Sequence, residues 1–432
     1  MPGLALPGES IGVPTPTKPS LLPYRWELVL WLWVAFFFNQ ADRQLFGIVL
    51  PALQLDLHLT NLQAGLIASV FTVAFACVIP FGGLAGDAFS RKRIVVRSIV
   101  LWSIATTLTG FAGGLVYLIA VRSIATSVGE ALFAPSAYAL IGEQHTETRA
   151  QAMALHQTSL YVGVVVTGAL AGYIADHFGW RGAFWIFGAA GVAAAGLMQI
   201  RIRDSHTAPR RAAVGEGFRA AELIRTPTVL AIAIGLGSSV FANVAYLTWM
   251  PTFLHERFHL SLASAGFSSM FYHHAPALGG VLIGGRLADR LARCRPGARL
   301  FMQASALLLA APFLYLMGAA QQLPLVCFAL AGFGLFRGVY DCNTYAALYQ
   351  VVRPRLHASA SGLVLAIAFT MASLAPVLLG AMKQSVGLAS GLSSLSLIHA
   401  AGSAVLFFSV WQLFGADYSR MKENEPETER AQ

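Results

Sequence analysis

GGLAGDAFSRKR (82–93) and GGRLADRLARCR (284–295) are two versions of one string, 202 positions apart. Each ends an apolar run with glycines, an acid and a cluster of bases. A short basic segment that follows an apolar run of bilayer length reads as a loop between membrane spans. Its recurrence says that the chain carries the same unit twice. Two further pairs support this. LDLHLTNLQAG (55–65) is matched by ERFHLSLASAG (256–266), 201 positions later, and TRAQAM (148–153) by LHASAS (356–361), 208 later.

Composition points the same way. Of 432 residues, 56% are hydrophobic and only 11% charged, and the mean hydropathy is +0.63. A soluble domain carries about 25% charged residues. Spans of roughly twenty apolar residues are expected at 27–50, 63–85, 94–112, 115–141, 150–174 and 183–200, then at 228–252, 263–286, 300–318, 324–349, 358–381 and 391–414. The expected fold class is an all-α polytopic membrane protein, with twelve transmembrane helices in two six-helix bundles (27–200 and 228–414). A basic cytoplasmic linker, 201–227, joins them. Residues 1–26 form a disordered cytoplasmic tail without the basic-then-apolar order of a signal peptide, and 415–432 form a cytoplasmic C-terminal tail.

The net charge of +9 suggests nucleic acid until its placement is considered. With the N-terminus inside, the inner loops hold Arg91, Lys92, Arg93 and Arg97, then Arg149, the linker, Arg286 to Arg299, and Arg353 with Arg355. The outer loops hold Arg181, Arg257 and Lys383. That bias is a topology signal, so both termini are expected in the cytoplasm of a cell whose plasma (inner) membrane holds the chain, with no nucleic-acid partner. Cys77, Cys294, Cys327 and Cys342 form no CxxC pair and indicate neither a disulfide framework nor a zinc knuckle. No GxxxxGK[ST] string is present, so direct ATP drive and a bound nucleotide cofactor are not expected.

HERFH (255–259) has HExxH spacing, which on a helix presents two histidines to a zinc ion. The repeat argues against that reading. Its counterpart QLDLH (54–58) shares only the last histidine, and no third ligand is evident. No metal is expected; His255 and Glu256 are instead candidates for closing an outer gate.

The strings at 82–93 and 284–295 resemble the signature of the major facilitator superfamily between spans two and three: a glycine, three residues, an aspartate, then bases. Gly83, Asp87, Arg91 and Lys92 carry it in the first copy, and Gly285, Asp289 and Arg290 in the second. Ala88 and Ser90 depart from it, where a base and a glycine are usual, so the second copy is expected to carry more of the cytoplasmic charge lock. The resemblance implies two bundles around a central cavity that opens alternately to each side, in a chain that usually works as a monomer. NQADRQLFGIVLP (39–51) and RSIATSVGEALFAPSAYAL (122–140) are similar to stretches of spans one and four in two branches, the spinster-like transporters and the anion–cation symporters of sugar acids and carboxylates. Eight positions separate Arg122 from Glu130 where seven would be expected, which implies a displaced arginine or an extra residue in the helix.

Charged residues within spans usually face the protein interior or a water-filled cavity. Six do so here: Asp42, Arg43, Arg122, Glu130, Arg337 and Asp341. Asp42 and Arg122 lie at matching depths in spans one and four and are expected to face each other, either around a substrate anion or as a permanent bridge. Glu130 is a candidate proton carrier or a packing acid, and Asp42 and Asp341 are further proton-coupling candidates. Arg337 and Asp341, one turn apart, are a substrate site or a local ion pair, with Asn343 and Tyr345 as softer candidates. His273 and His274 in span eight either bind substrate or join helices, and His156 and Gln157 are weaker candidates. Asn243 aligns with Asp42, so the halves are not electrically equivalent. Together these residues suggest proton-coupled transport of a small organic anion (carboxylate or sugar acid). The alternative is a lysophospholipid or another amphiphile as substrate.

Overall fold

The computed structural model describes residues 23–145, 147–203, 220–353 and 356–423, and their regular structure is helical. In chain order the long helices are α1 (Tyr24–Asp56), α2 (Asn61–Ala88), α3 (Arg91–Thr109) and α4 (Leu115–Gln144). Then come α5 (Arg149–Arg201), α6 (Pro227–Phe258), α7 (Leu262–Ala292) and α8 (Ala298–Ala319). α9 (Leu323–Asp341), α10 (Ser359–Ser385) and α11 (Leu388–Phe408) complete the set. Each stretch expected to span is helical through most of its length. Eight of the described helices are long and apolar enough to cross a membrane. α1, α3 and α7 are not among them. α3 carries four bases in its first seven residues, and α1 and α7 carry the polar residues described below.

Local chemistry sets the breaks. Thr60 and Gln63 cap α2 reciprocally: Gln63 N–H donates to Thr60 Oγ1 at 3.2 Å, and Thr60 N–H to Gln63 Oε1 at 2.9 Å. Ser261 caps α7 by accepting from Ser264 N–H at 3.2 Å. The described residues with positive φ are His58 (50°), His259 (53°), Gly179 (77°) and Gly387 (87°). They fall into two repeat pairs, 58 with 259 at the 201 offset and 179 with 387 at the 208 offset. The internal repeat therefore extends to backbone angles, because the same turn needs the same left-handed residue. Gly179 breaks α5 into two arms. The last helical residues run past the expected tail boundary: a short helix, Phe414–Glu423, follows α11 and docks by Asp417, which accepts from Thr228 N–H at 3.0 Å.

The four positive-φ turns lie at one end of the molecule, and the basic loops at the other. Buried apolar residues form three groups. One, at the turn end, draws on both halves of the chain, with Leu50, Ala171, Trp249, Leu262 and Leu379 among its members. The others each belong to one half: Val95, Trp102, Phe133 and Met198 in the first, and Ile232, Leu307, Leu348 and Leu406 in the second. The halves are thus fused at the turn end and cored separately at the basic end.

Glycines make that fusion possible by letting backbones touch. A Cβ on Gly168 would stand 2.6 Å from the Gly266 carbonyl oxygen, and one on Gly65 would stand 2.7 Å from Val377 Cα. A Cβ on Gly172 would meet Ala263, and one on Gly380 would meet Asn61. These contacts join α5 to α7 and α2 to α10, and the repeat interchanges the two pairs. Asp176 adds a latch on one side only. Its carboxylate accepts from Leu262 N–H at 3.0 Å and Ala263 N–H at 2.9 Å, at the start of α7.

The HERFH stretch belongs to the same end. His255 Nδ1 bonds the Leu260 carbonyl at 2.6 Å, Glu256 pairs with Lys383 at 2.6 Å, and His259 lies beyond the helix in the left-handed region. The two histidines therefore do not share a helical face. In the first half Asp56 pairs with Arg181 at 2.5 Å, a bond that holds the Asp56 carboxyl below its ordinary range. At the basic end Arg91 pairs with Glu143, and Asp289 with Arg299 at 2.7 Å. Both are contacts within one half. Lys92, Gly285 and Arg290 sit beside them, and a Cβ on Gly285 would meet nothing within 4 Å. Gly83 and Asp87 lie on a stretch of α2 described by its backbone alone, so the placement of the Asp87 side chain is outside the described residues.

Candidate functional site

A cavity of about 280 Å³ lies between the halves, lined from α1, α2, α4 and α5 on one side and α6, α7, α9 and α10 on the other. Three arginines reach it: Arg43, Arg122 and Arg337.

Arg122 is presented by a defect in its own helix. Residues Ile119–Ala125 form a π-helical turn, in which Thr126 N–H bonds the Val121 carbonyl five residues back. A π-turn is one extra residue absorbed by a helix, and such bulges are frequent at functional sites. It accounts for the eight-residue interval to Glu130. Arg122 is 4% exposed. Its Nη2 donates to the Asp42 main-chain carbonyl at 2.9 Å, and its guanidinium lies over the rings of Phe71 at 4.8 Å and Phe46 at 5.9 Å. Its Nε and Nη1 are buried and make no protein hydrogen bond.

The expected ionic contact between the Arg122 and Asp42 side chains is therefore replaced by a bond to the Asp42 backbone. The side chain of Asp42 is buried, and its Oδ1 makes no hydrogen bond. Arg43, one residue on, pairs with Glu130 instead, Nε to Oε2 at 2.7 Å, while its guanidinium stacks on Phe75 at 4.1 Å. Adjacent helical residues point about 100° apart, so only one of the Asp42–Arg43 pair can face α4. Depth along the span does not say which one. Glu130 has no exposed side-chain surface and reaches the cavity through Arg43.

Across the cavity, Arg337 Nη1 donates to Asn243 Oδ1 at 2.5 Å and to His273 Nε2 at 3.2 Å. Asp341 Oδ2 lies 3.4 Å from Arg337 Nε. Asn243 is the repeat counterpart of Asp42, and here it accepts from an arginine. His273 is fully buried behind Arg337, between the rings of Tyr246 and Phe333. His274 lines the cavity, and its Nδ1 bonds the Met270 carbonyl at 2.9 Å.

Other residues lie elsewhere. α9 ends at Asp341. Past that turn Asn343 is buried and donates to the Val339 carbonyl at 2.9 Å, while Tyr345 is 40% exposed beside Tyr349. Neither lines the cavity. His156 is enclosed by Phe36 and Tyr138, and Gln157 is exposed. The residue whose role the sequence left unassigned is Arg43, signalled only by its place among six intramembrane charges.

Residues 32–376 match the family described as Major Facilitator Superfamily. The chain is 27% identical to an MFS-type efflux pump of Mycolicibacterium smegmatis over 81% of this chain and 82% of that protein. It is 26% identical to the hexuronate transporter of Bacillus subtilis, over 55% of this chain and 58% of that one. Across such curated relatives the chain spans from 48% to 82% of their length, and 56% of the first. Among solved structures it superposes on a bacterial homolog of the human lysosomal transporter Spinster, in an inward-facing and occupied conformation. The TM-score is 0.81 at 20% identity, covering 92% of this chain and 99% of that one.

Proposed function

The chain belongs to the major facilitator superfamily, a family of membrane transporters rather than enzymes, and we propose that it carries a small organic anion across the membrane by proton-coupled alternating access. Its helices form twelve spans in two six-helix bundles, 27–200 and 228–414, working as a monomer in the plasma (inner) membrane. The basic end faces the cytoplasm, by the bias of Lys and Arg. The cavity then opens inward, and the glycine contacts and the Asp176 latch close the outer side.

One observation carries the anion reading: Arg122 is buried in the cavity wall with two donor nitrogens, Nε and Nη1, unbonded. A buried charge with free donors is costly unless a partner arrives. A planar guanidinium offers a carboxylate a two-pronged contact. Arg337 faces it from the other half and supplies a second cationic contact. Proton coupling is assigned to Glu130 and Asp42. A proton on Glu130 ends its ionic bond to Arg43 and frees that arginine toward the anion. Loss of the proton restores the pair and expels the anion. Asp341 restrains Arg337 when the cavity is empty. The hexuronate relative is consistent with this substrate class.

The amphiphile reading keeps one specific support, the phenylalanine rings along the cavity described below. Proteoliposomes with an internal pH dye separate the two. Internal acidification on adding a small organic acid, lost in Glu130→Gln and in Arg122→Ala, is expected. No response to any small acid, with lysophospholipid bound tightly by the purified protein, overturns the anion reading.

A further inference from the structure

Part of the polar lining of the cavity is committed to the protein itself. Gln40 Nε2 donates to Asn39 Oδ1 at 3.2 Å. The hydroxyls of Thr72 and Thr248 donate to carbonyls of their own helices, Ala68 at 2.9 Å and Val244 at 2.8 Å. Asn243 accepts from Arg337, and Arg43 is held by Glu130. In the wall, Arg122 Nε and Nη1 and the amide oxygen of Gln44 are enclosed with no protein partner.

The rest of the wall is apolar, and much of it is aromatic. Phe71 and Phe75 lie one turn apart on α2 with their rings stacked at 6.3 Å. Phe369 of α10 meets Phe75 from the other half, with centroids 5.5 Å apart. Phe46 of α1 completes the set beside Arg122. Arg122 and Arg43 lie on the faces of these rings, so cation and apolar surface adjoin. Rings at such spacings accept a further ring in an offset or edge contact.

Resting on the anion reading above, we infer that the substrate is an anion with a single carboxylate on a flat apolar body, an aryl carboxylate, and not a polyhydroxylated sugar acid. The carboxylate accepts from one edge of the Arg122 guanidinium, an unpartnered N–H of Nε or Nη1 together with the second N–H of Nη2. The ring lies against Phe71 and Phe46, and Phe369 covers it from the second half. A sugar acid held by Arg122 would turn hydroxyls toward the rings of Phe46, Phe71, Phe75 and Phe369, which offer them no ordinary hydrogen-bond partner. Each hydroxyl buried unmatched lowers affinity by roughly fivefold to a hundredfold. Phe75 and Phe369 also give the two halves a contact that the bound ring can extend, so occupancy is sensed by both.

Isothermal titration of the purified full chain with benzoate, glucuronate and lysophosphatidylcholine tests this without relying on transport. Benzoate is expected to bind at least roughly tenfold more tightly than glucuronate, with binding lost in Arg122→Ala. Phe71→Ala is expected to weaken benzoate severalfold while leaving glucuronate unchanged. Phe71→Leu, which keeps most of the volume, gives the same direction if the alanine variant fails to fold. Glucuronate binding as well as or better than benzoate, lost in Arg122→Ala, overturns the aryl assignment and leaves the anion reading standing. Binding of neither acid overturns both, as does binding of lysophosphatidylcholine alone.

Discussion

The closed end of the molecule rests on backbone contact at Gly168 and Gly266, and adding one methyl group there should open it. In Gly168→Ala the new Cβ would stand 2.6 Å from the Gly266 carbonyl oxygen and 3.0 Å from Met270 Cγ, where ordinary contact begins at 3.4 Å. The two backbones must part by 3.4 − 2.6, about 0.8 Å, along a seam where both partners are main chain and neither can rotate away. Overpacking of this size costs about 1–3 kcal/mol. The alanine also favours helix over glycine, by up to about 1 kcal/mol, but α5 is helical in either arrangement, so that gain cancels between them. The ratio of open to closed should therefore rise about 5- to 150-fold. Spin labels on Leu55→Cys and Val386→Cys, at 79% and 57% exposed positions in opposite halves of this end, would read the separation in a background without Cys77, Cys294, Cys327 and Cys342. Gly279→Ala on α7 is the control, because its Cβ would meet nothing within 4 Å. A longer-distance population in Gly168→Ala and not in Gly279→Ala is expected. Identical distance distributions in the two variants would show that the contact is fixed core and not a moving seam.

Three other perturbations follow from the same geometry. Deleting Ala125 removes the extra residue of the π-turn and turns Arg122 by about 100° relative to Glu130. Binding of the anion to the purified protein should be lost while far-ultraviolet circular dichroism stays helical, and retained affinity would show that the bulge does not present Arg122. Asp176→Ala removes both acceptors at the start of α7 and should favour opening by about 0.5–2 kcal/mol, the usual worth of a helix cap; the same spin-label pair reads it, and an unchanged distribution would count against the latch. His259→Val places a branched side chain at φ 53° and should lower the midpoint of thermal unfolding in detergent, with a cost of about 1–2 kcal/mol. His259→Gly should not lower it, and equal destabilisation by both would locate the effect in the lost imidazole.

The long helices were legible because crossing a bilayer imposes a length and an apolarity that few other structures share. The turns were legible through repetition: aligning QLDLH with HERFH left one shared histidine, and His58 and His259 are the two left-handed non-glycine residues among those described. The site was legible only in its composition. All six of the charges expected within spans proved buried or paired, and Arg337 lies beside Asp341 as their spacing implied, but Arg43 rather than Asp42 meets a carboxylate or guanidinium of α4, since Asp42 and Arg43 share a depth and differ in azimuth. The π-turn left a trace as an interval of eight, and the count alone could not distinguish a displaced arginine from an inserted residue. Asn343 and Tyr345 fall within the expected span 324–349, but α9 stops at Asp341 and neither residue lines the cavity.

The two halves have kept their frame and lost their chemistry in common. The contacts of Gly168 with Gly266 and of Gly65 with the Pro376–Val377 backbone are exchanged by the repeat, as are those of Gly172 and Gly380. The left-handed residues are exchanged as well. By contrast, Asp42 and Arg43 correspond to Asn243 and Val244, so neither the acid nor the base beside it, which pairs with Glu130 of α4, has an ionic counterpart at the matching place in α6. The latch at Asp176 has Gln384 as its counterpart at the 208 offset. A frame that must close at either end by the same motion is constrained to stay symmetric, because each seam has to fit backbone against backbone. A cavity that takes one substrate is under no such constraint. Under the proposed proton coupling it would gain from asymmetry, since acceptors at Asp42 and Glu130 would tie ion movement to one wall while the other wall remained free to follow the substrate.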